Sequence, residues 1–409
     1  MPNILAQDSN GPLLLVLPVP LYEQNGRFLI DSQAGNGLSQ WARHFRRMTL
    51  VGKRFAEPPA SGVVAIDALD LGDRLSVHGV PTAWTPAGHF RALMPMRQKL
   101  ASLIDTHRYL HFALGGAWGD WGAIGALMAA RRGRKASVWT DRVESQVMEI
   151  EAGRRSGLSR LLGQVYAQRA RWLERRAIRA ASLGLFHGSD TFEAYRAFSR
   201  EPHLAHNIHL KPQDRIDPAQ LAAKIASCGK GPLEIVYFGR VHPDKGPMDW
   251  IQTLKLAAAQ GVAFRARWFG DGPQLEEARA KVSALGLDGI VAFAGPIFDR
   301  DEVLDTLRSA HVAMFCHQTP ESPRCLIEAL VCGTPIVGYA SAYPRDLIAA
   351  NGGGVLTAME PADLAAQIGE LAAARDHLAA LIVKAARDGR DMNDEAVFAE
   401  RAALMKEYS

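Results

Sequence analysis

The residues best suited to chemistry are two cations that follow a short apolar run in the second half of the chain. Arg240 and Lys245 lie five positions apart in a loop bounded by glycines, after a strand predicted at Leu233–Phe238. The loop runs into a helix that Pro247 is predicted to open. Free backbone amides, the helix dipole and two cations favour an anion site, most naturally for a diphosphate.

The alternative is that nearby carboxylates neutralise both cations at the surface. Asp244 and Asp249 are close enough in sequence to do so. The anion site and the surface ion pairs both remain open at this point.

Two carboxylates follow another predicted strand, Val312–Cys316. Ser322 as N-cap and Pro323 as first helical residue predict a helix start there, with its amides facing the same crevice as the two cations. A carboxylate accepts two hydrogen bonds from vicinal hydroxyls, so Glu328 suits a ribose and Glu321 a hexose. The alternative for Glu328 is an i,i+4 ion pair with Arg324, a weak interaction of about 0.3 kcal/mol.

Alternating strands and helices must position these residues. In the second half the predicted strands are Leu233–Phe238, Phe264–Phe269, Ile290–Ala294, Val312–Cys316 and Ile336–Tyr339. In the first half they are Leu13–Leu17, Val63–Ile66, Tyr109–Leu114, Ala136–Thr140 and Leu183–Phe186. Strands alternating with helices predict an α/β fold of parallel sheets covered on both faces.

The predicted organisation has two doubly wound domains facing across a cleft. The first covers residues 1–210, a linker covers 211–232, and the second domain covers 233–392. An amphipathic helix is predicted at 393–408. Ligands of open parallel sheets bind beyond the carboxyl ends of the strands, so the residues after each strand are the candidates.

Composition excludes several classes of protein. The chain has 409 residues, 48% of them hydrophobic, which is typical of a globular protein rather than a disordered one. Its four cysteines show no C-x-x-C pair, so we expect buried free thiols, a reduced cytosolic setting and no metal. The apolar run Leu13–Leu21 contains two prolines and is shorter than the about 20 residues of a membrane span. It also lacks the basic start of a signal peptide.

The net charge of +4 hides a basic first half. Residues 131–179 contain 13 Lys and Arg but only 5 Asp and Glu. Such a region can face anionic lipid, nucleic acid or a phosphorylated substrate, and the alternative is a solvated, arginine-rich helix face.

Several motifs in order resemble the donor-binding domain of family 4 retaining glycosyltransferases, which have the GT-B fold. The resemblance is strong over about residues 233–385 and loose, through architecture only, before them. Its motifs are Gly239-Arg240, Lys245-Gly246, Gly270-Asp271-Gly272-Pro273, Phe293-Ala294-Gly295, Glu321, Glu328-Ala329-Leu330, Gly333-Thr334-Pro335-Ile336-Val337, Gly354-Val355-Leu356 and Pro361-Ala362-Asp363-Leu364-Ala365.

The resemblance implies roles for particular residues. Arg240 and Lys245 would hold the donor diphosphate and offset charge on the departing nucleotide. Glu328 would hold the nucleotide ribose, and Glu321 the donor sugar. The implied donor site consists of Gly239, Arg240, Lys245, Gly270, Ser322, Arg324, Cys325 and Glu328, with Arg240, Lys245 and Glu321 catalytic. The donor is a nucleotide sugar, and no cofactor or metal is expected. The helix at 393–408 would cross back onto the first domain.

The sequence departs from the family pattern around Glu321. The family usually has seven residues between its two glutamates, whereas here there are six, and Pro320 occupies the usual position of the first glutamate. Ser322-Pro323-Arg324 replaces a glycine-rich segment, so Arg324 is a candidate contact for the sugar or the phosphate.

The first domain offers weaker candidates. Gly35-Asn36-Gly37 resembles the family's small-residue loop near donor phosphate and acceptor, and the alternative is an ordinary loop before a helix at Gln40–Arg47. Asp120, expected to be exposed to the cleft, and Asp141 are candidates for orienting an acceptor hydroxyl. His111 lies within a predicted strand and is expected to be structural. Trp118 and Trp121 are expected to pack in the core, and the alternative is that they stack on a sugar.

These observations predict a retaining glycosyltransferase that moves a sugar from a nucleotide-sugar donor to an acceptor hydroxyl. The basic region resembles the membrane-facing surface of relatives, so the hypothesised acceptor is a glycan on a polyprenyl diphosphate, as in bacterial exopolysaccharide, capsule or lipopolysaccharide assembly. This hypothesis predicts a cytoplasmic protein that can lie peripherally on the inner face of the membrane and has no nucleic-acid partner. The alternatives are a non-catalytic nucleotide-sugar-binding relative and a GT-B epimerase.

Overall fold

The computed structural model describes residues 11–24, 26–59, 62–319 and 321–409 and divides the chain into two units. Unit 1 comprises Met1–His209 together with Glu395–Ser409, and unit 2 comprises Leu210–Asp394. The segment predicted as a linker, 211–232, therefore lies in unit 2. It contains a helix at Pro218–Cys228, because Asp217 accepts a hydrogen bond from the amide of Gln220 and caps the helix.

Unit 1 is an α/β sandwich. Its strands are β1 (Leu13–Gln24), β2 (Arg27–Asp31), β3 (Met48–Phe55), β4 (Val63–Ala65), β5 (Leu75–Val80), β6 (Tyr109–Ala113), β7 (Ser137–Thr140), β8 (Leu183–His187) and β9 (Pro202–Ala205). Its helices are α1 (Ser32–His44), α2 (Pro86–Thr106), α3 (Trp121–Arg131), α4 (Glu144–Gly153), α5 (Gly157–Ala180), α6 (Gly188–Tyr195) and, at the end of the chain, the helix Asp394–Tyr408.

The sheet of unit 1 is mainly parallel and buried on both faces. β1 pairs in parallel with β3 and β6, and β6 to β9 continue in parallel order. Along β1, Leu14 and Val16 enter one apolar core while Leu13 and Leu15 enter the other. A strand that is apolar on both faces is typical of a sheet covered by two helical layers.

The first strand is longer than predicted. The predicted bounds are Leu13–Leu17, but β1 continues to Gln24 and forms an antiparallel hairpin with β2. Its register against β3 shifts between Val16 and Pro20, and this irregularity accommodates the prolines, which cannot donate to a regular ladder.

The small-residue segment Gly35-Asn36-Gly37 is not a loop. It lies within α1, which begins at Ser32 because the Asp31 carboxylate accepts hydrogen bonds from the amides of Gln33 and Ala34. The predicted helix at Gln40–Arg47 therefore starts eight residues earlier, at Ser32, and ends at His44.

Unit 2 is a second parallel α/β sheet. Its strands are β10 (Leu233–Phe238), β11 (Phe264–Phe269), β12 (Val291–Phe293), β13 (Val312–Phe315), β14 (Ile336–Tyr339) and β15 (Gly354–Thr357). Its helices are α7 (Pro218–Cys228), α8 (Pro247–Ala259), α9 (Leu275–Ala284), α10 (Arg300–Ser309), α11 (Arg324–Val331), α12 (Ala342–Leu347), α13 (Pro361–Ala373) and α14 (Arg375–Asp388). The strand order is β12-β11-β10-β13-β14-β15. The five strands predicted for this half are confirmed, with bounds that agree to within one residue at each end.

The last helix, α15 (Asp394–Tyr408), packs on unit 1. The ring of Phe398 meets Trp41 edge-on at 5.1 Å between centroids, and the guanidinium of Arg401 lies 4.0 Å from the Trp139 ring. In the described part of the chain no helix combines the length and apolarity that crossing a bilayer requires.

Candidate functional site

The loops that follow β10, β11 and β13 are in close contact at the carboxyl edge of the unit 2 sheet. Gly270 has a φ of +152°, and a Cβ there would lie 2.0 Å from the carbonyl oxygen of Gly239. Gly246 has a φ of +64°, and a Cβ there would lie 2.1 Å from the carbonyl oxygen of Cys316. Only glycine fits at either position. These close approaches bring the two predicted groups of functional residues to one place.

Lys245 and Glu321 form an ion pair at this edge. Lys245 Nζ lies 2.6 Å from Glu321 Oε1, and both side chains are largely buried. His317 lies behind the pair: its Nδ1 is 4.0 Å from the same carboxylate oxygen, and its Nε2 is 2.7 Å from the hydroxyl of Tyr237. Burial, together with the positive charge of Lys245, holds the pKa of His317 well below its usual range, so the imidazole is neutral.

Arg240 is the exposed cation of the site. Its side chain forms no ion pair with any residue that the structure describes, although it projects from the same loop as Lys245. The alternative, neutralisation by Asp249, is not observed, because that carboxylate accepts hydrogen bonds from Tyr339 and Gln318, each at 2.9 Å. The carboxylate of Asp244 lies 3.2 Å from His242 Nδ1. Arg240 is therefore available to an anionic ligand.

Glu328 has a partner that sequence reasoning missed. Its Oε1 lies 2.8 Å from Arg300, the first residue of α10, rather than pairing with Arg324 one turn earlier on its own helix. Burial alone would lower the pKa of Arg300, but the charge and hydrogen bond of Glu328 outweigh it and raise that pKa. No local spacing could reveal this pair, because it joins two helices that are far apart in sequence.

The helix that carries Glu328 begins one residue later than predicted. Pro323 occupies the N-cap position of α11, Arg324 is the first helical residue, and no side chain caps the helix. Ser322 is buried just before it. The first-turn amides of a helix have no acceptor within the helix, so those near Arg324 and Cys325 can donate to a ligand. Burial raises the pKa of the Cys325 thiol to about 12, which excludes it as a thiolate nucleophile at neutral pH.

The structure corrects the role expected of Asp120 in unit 1. We expected an exposed carboxylate, but Asp120 is buried as the N-cap of α3. Its Oδ1 accepts a hydrogen bond from the amide of Ala123 at 2.8 Å, and its Oδ2 accepts one from Gly115 at 3.0 Å. Burial raises the pKa of this carboxyl group to about 6. Asp120 thus organises the loop before α3 and does not present a free carboxylate.

The other candidates of unit 1 are dispersed. Gly35 and Gly37 are buried in α1, and Asn36 Nδ2 lies 3.5 Å from His209 Nδ1. Asp141 is exposed and accepts a hydrogen bond of 3.3 Å from Asn207. Three further candidates have partners within unit 1: His111 is hydrogen-bonded to Ser137, Trp121 donates to the carbonyl of Pro81, and the ring of Trp118 lies under the guanidinium of Arg169. The described residues contain no cluster of metal-ligating side chains.

Comparison with known proteins agrees with the geometry of unit 2. Residues 232–374 match the family described as Glycosyl transferases group 1. The match lies within unit 2. The predicted resemblance to this family is therefore confirmed over these residues, which include the Lys245–Glu321 and Glu328–Arg300 pairs.

Curated relatives match parts of this chain. A 2-deoxystreptamine N-acetyl-D-glucosaminyltransferase from Streptomyces fradiae is 33% identical over 116 residues, which are 27% of each chain. A putative colanic acid biosynthesis glycosyltransferase, WcaL of Salmonella typhimurium, is 28% identical over 184 residues, 43% of this chain and 45% of that protein. The chain thus matches less than half the length of these two relatives.

Solved structures match both units. Anabaena HepE in complex with UDP gives a TM-score of 0.67 at 17% identity, covering 97% of this chain and 99% of that chain. WaaG, a glycosyltransferase involved in lipopolysaccharide biosynthesis, gives 0.62 at 14% identity, covering 96% and 99%. These similarities confirm the predicted GT-B fold.

Proposed function

We propose that this protein is a retaining glycosyltransferase that moves a sugar from a nucleotide-sugar donor to an acceptor hydroxyl. The observation that carries the proposal is the convergence, at the carboxyl edge of the unit 2 sheet, of the exposed Arg240, the Lys245–Glu321 pair and the Glu328–Arg300 pair. Cations suit the diphosphate, and carboxylates suit the hydroxyls of ribose and sugar.

The proposed chemistry needs charge stabilisation rather than an enzyme nucleophile. The bond between the anomeric carbon and the diphosphate oxygen breaks while the acceptor oxygen bonds to that carbon on the face that the nucleotide leaves. Arg240 and Lys245 offset the charge on the departing diphosphate, and the acceptor proton passes to it. Glu321 holds Lys245 in place at 2.6 Å and offers its other oxygen to a sugar hydroxyl.

Glu328 is proposed to bind the nucleotide ribose. Arg300 occupies one carboxylate oxygen at 2.8 Å, which fixes the orientation of the group and leaves the other oxygen for a ribose hydroxyl. The two helices α10 and α11 therefore both contribute to this contact.

The proposed acceptor is a glycan on a polyprenyl diphosphate, in the assembly of an exopolysaccharide, capsule or lipopolysaccharide. The colanic acid and lipopolysaccharide descriptions of the two similar proteins support this class of product. A surface of α5 supports a lipid carrier. Near the start of this helix, Leu158 is 71% exposed and Leu161 is 57% exposed. Further along the same helix lies a cluster of four arginines, Arg171, Arg175, Arg176 and Arg179. Apolar and basic side chains together are typical of helices that lie on anionic membranes.

The test is thermal-shift binding across UDP-, GDP- and ADP-sugars, followed by an assay of sugar transfer with the donor that binds. We expect one donor to raise the melting temperature of the wild type, and Arg240→Ala, Lys245→Ala and Glu328→Ala each to abolish the shift. Glu302→Gln, on the exposed face of α10, is the matched control.

Each result decides between the proposal and its alternatives. No shift with any donor at millimolar concentration would contradict a nucleotide-sugar site. A shift without transfer to any lipid-linked or soluble acceptor would favour a non-catalytic binding protein. Release of an isomerised sugar without transfer would favour an epimerase.

A further inference from the structure

Unit 1 contains a buried cation whose charge no neighbour pairs. Lys53, near the end of β3, is only 7% exposed, and its ammonium makes no hydrogen bond or ion pair with any residue in the described ranges. The Lys53 Nζ atom lies 5.6 Å from the centroid of the Trp84 ring, a cation–π contact. Burial of most of this side chain disfavours its charge, so an anionic ligand in contact with the ammonium would offset that cost.

Lys53 lines a small cavity at the carboxyl edge of the unit 1 sheet. The cavity lies beside the register shift in the middle of β1 and near the ends of β3 and β6. Its walls include Leu17, Pro18, Lys53, Gly115, Asp120 and Trp121. Its volume of about 10 Å³ holds one water-sized group, such as a single ligand oxygen. This edge is where open parallel sheets bind their ligands.

The carboxylates near Lys53 are engaged elsewhere. Both oxygens of Asp120 accept backbone hydrogen bonds, from Ala123 and from Gly115. Glu144 forms an ion pair of 2.7 Å with Arg142. Burial lowers the pKa of Lys53, while the charges of Asp120 and Glu144 act in the opposite direction. The ammonium of Lys53 is thus attracted by the charges of Asp120 and Glu144 but forms no hydrogen bond or ion pair with either carboxylate.

An exposed aromatic ring lies beside the cavity. Trp84 is 57% exposed, and its ring lies 5.6 Å from that of Phe55. It follows Ala83, whose φ of +52° is rare for a residue other than glycine. Strain of this kind persists where the surrounding structure imposes it, and it is common at ligand sites. An indole face next to a cation is suited to a sugar ring that carries a negative group.

We propose that unit 1 binds a sugar bearing an anionic oxygen, with Lys53 holding that oxygen in the cavity and Trp84 stacking on the ring. The anionic oxygen belongs to a carboxylate, as in a uronic acid, or to a sugar phosphate. This inference rests on the proposed function, in which the sugar is part of the acceptor, and it narrows the acceptor to anionic glycans.

The experiment titrates the full-length protein with glucuronic acid, glucose 6-phosphate and glucose, using saturation-transfer NMR and calorimetry at low ionic strength. We expect at least one anionic sugar to bind about tenfold more tightly than glucose. A preference for glucuronic acid identifies the carboxylate, and a preference for glucose 6-phosphate identifies the phosphate. Lys53→Met is expected to remove the preference, and Trp84→Ala to weaken binding of all three sugars. Lys135→Met, at an exposed lysine, is the control.

Two further measurements separate the possible failures. Lys53→Met removes a buried charge, so its melting temperature is expected to equal or exceed that of the wild type, which distinguishes a lost ligand contact from a lost fold. Binding of the stabilising nucleotide sugar to this variant should be unchanged, because Lys53 is in unit 1. Equal binding of glucose and both anionic sugars, or a preference that survives in Lys53→Met, would overturn the inference even where nucleotide binding is intact. If no nucleotide sugar binds but the anionic preference is present, the proposed transferase fails and the anionic site stands.

Discussion

At the scale of single residues, the Glu328–Arg300 pair offers a selective test of the donor site. We expect the wild type to bind its nucleoside diphosphate about tenfold more tightly than the 2′-deoxy form, because a hydrogen bond from a hydroxyl to a charged group contributes about 1.5 kcal/mol. Glu328→Gln should reduce this ratio toward one, whereas Glu302→Gln should preserve it. Calorimetric titration of both nucleotides into the three proteins measures the ratio. An unchanged ratio in Glu328→Gln would show that the ribose lies elsewhere.

A second residue-scale prediction concerns acid stability. His311 is buried and its Nδ1 accepts a hydrogen bond of 3.0 Å from the amide of Glu234 at β10. Burial, with Arg375 and Lys224, lowers its pKa to about 4. In the unfolded chain this histidine binds a proton below about pH 6.5, whereas in the folded protein it stays neutral down to about pH 4. The free energy of unfolding therefore keeps its full value above pH 6.5 and falls by up to about 3 kcal/mol as the pH decreases to 4. Denaturant unfolding of wild type and His311→Gln at pH 7 and pH 4 should show their difference shrinking, while the exposed His377→Gln shows no such change.

At the scale of elements, the close approach of loops determines whether the cations can act together. Gly270→Ala places a Cβ only 2.0 Å from the carbonyl oxygen of Gly239, so the loop that carries Arg240 must move. We expect donor affinity to fall about tenfold or more while the circular dichroism spectrum stays that of a folded α/β protein. Gly229→Ala, where a Cβ meets nothing within 4 Å, is the matched control. Thermal-shift titration that finds Gly270→Ala equal to the control would argue against this loop as part of the donor site.

The same scale shows what sequence could and could not predict. The strands of unit 2 follow from short apolar runs with clear glycine and proline boundaries, and β10, β11 and β14 have the predicted bounds. Residues 35–37 were misplaced because two glycines suggest a loop, while the carboxylate of Asp31 starts a helix before them. Arg300 and Lys53 were missed because their significance lies in contacts between distant segments, which no local spacing encodes.

At the scale of the whole molecule, the basic residues are concentrated in the first half of the chain, above all in residues 131–179. This concentration predicts that the protein associates with anionic membranes. The arginines of α5 lie on the helix whose earlier turns expose Leu158 and Leu161. We expect the protein to sediment with vesicles that contain anionic phospholipid and not with neutral ones, with binding that weakens as salt rises. Reversal of Arg171, Arg175 and Arg176 to Glu should abolish sedimentation, because it replaces attraction by repulsion.

Matched variants distinguish binding through the α5 surface from binding through the net charge of the protein. Reversal of Arg265, Arg345 and Arg390 in unit 2 changes the net charge equally, so it should leave most sedimentation intact. Leu158→Ser with Leu161→Ser should weaken binding at every salt concentration, because apolar burial is not screened by ions. Vesicle binding that falls equally in both charge-reversed proteins would mean that overall charge, and not α5, brings the protein to the membrane. Binding confined to the α5 surface would place unit 1 against the bilayer, where a lipid-linked acceptor is found.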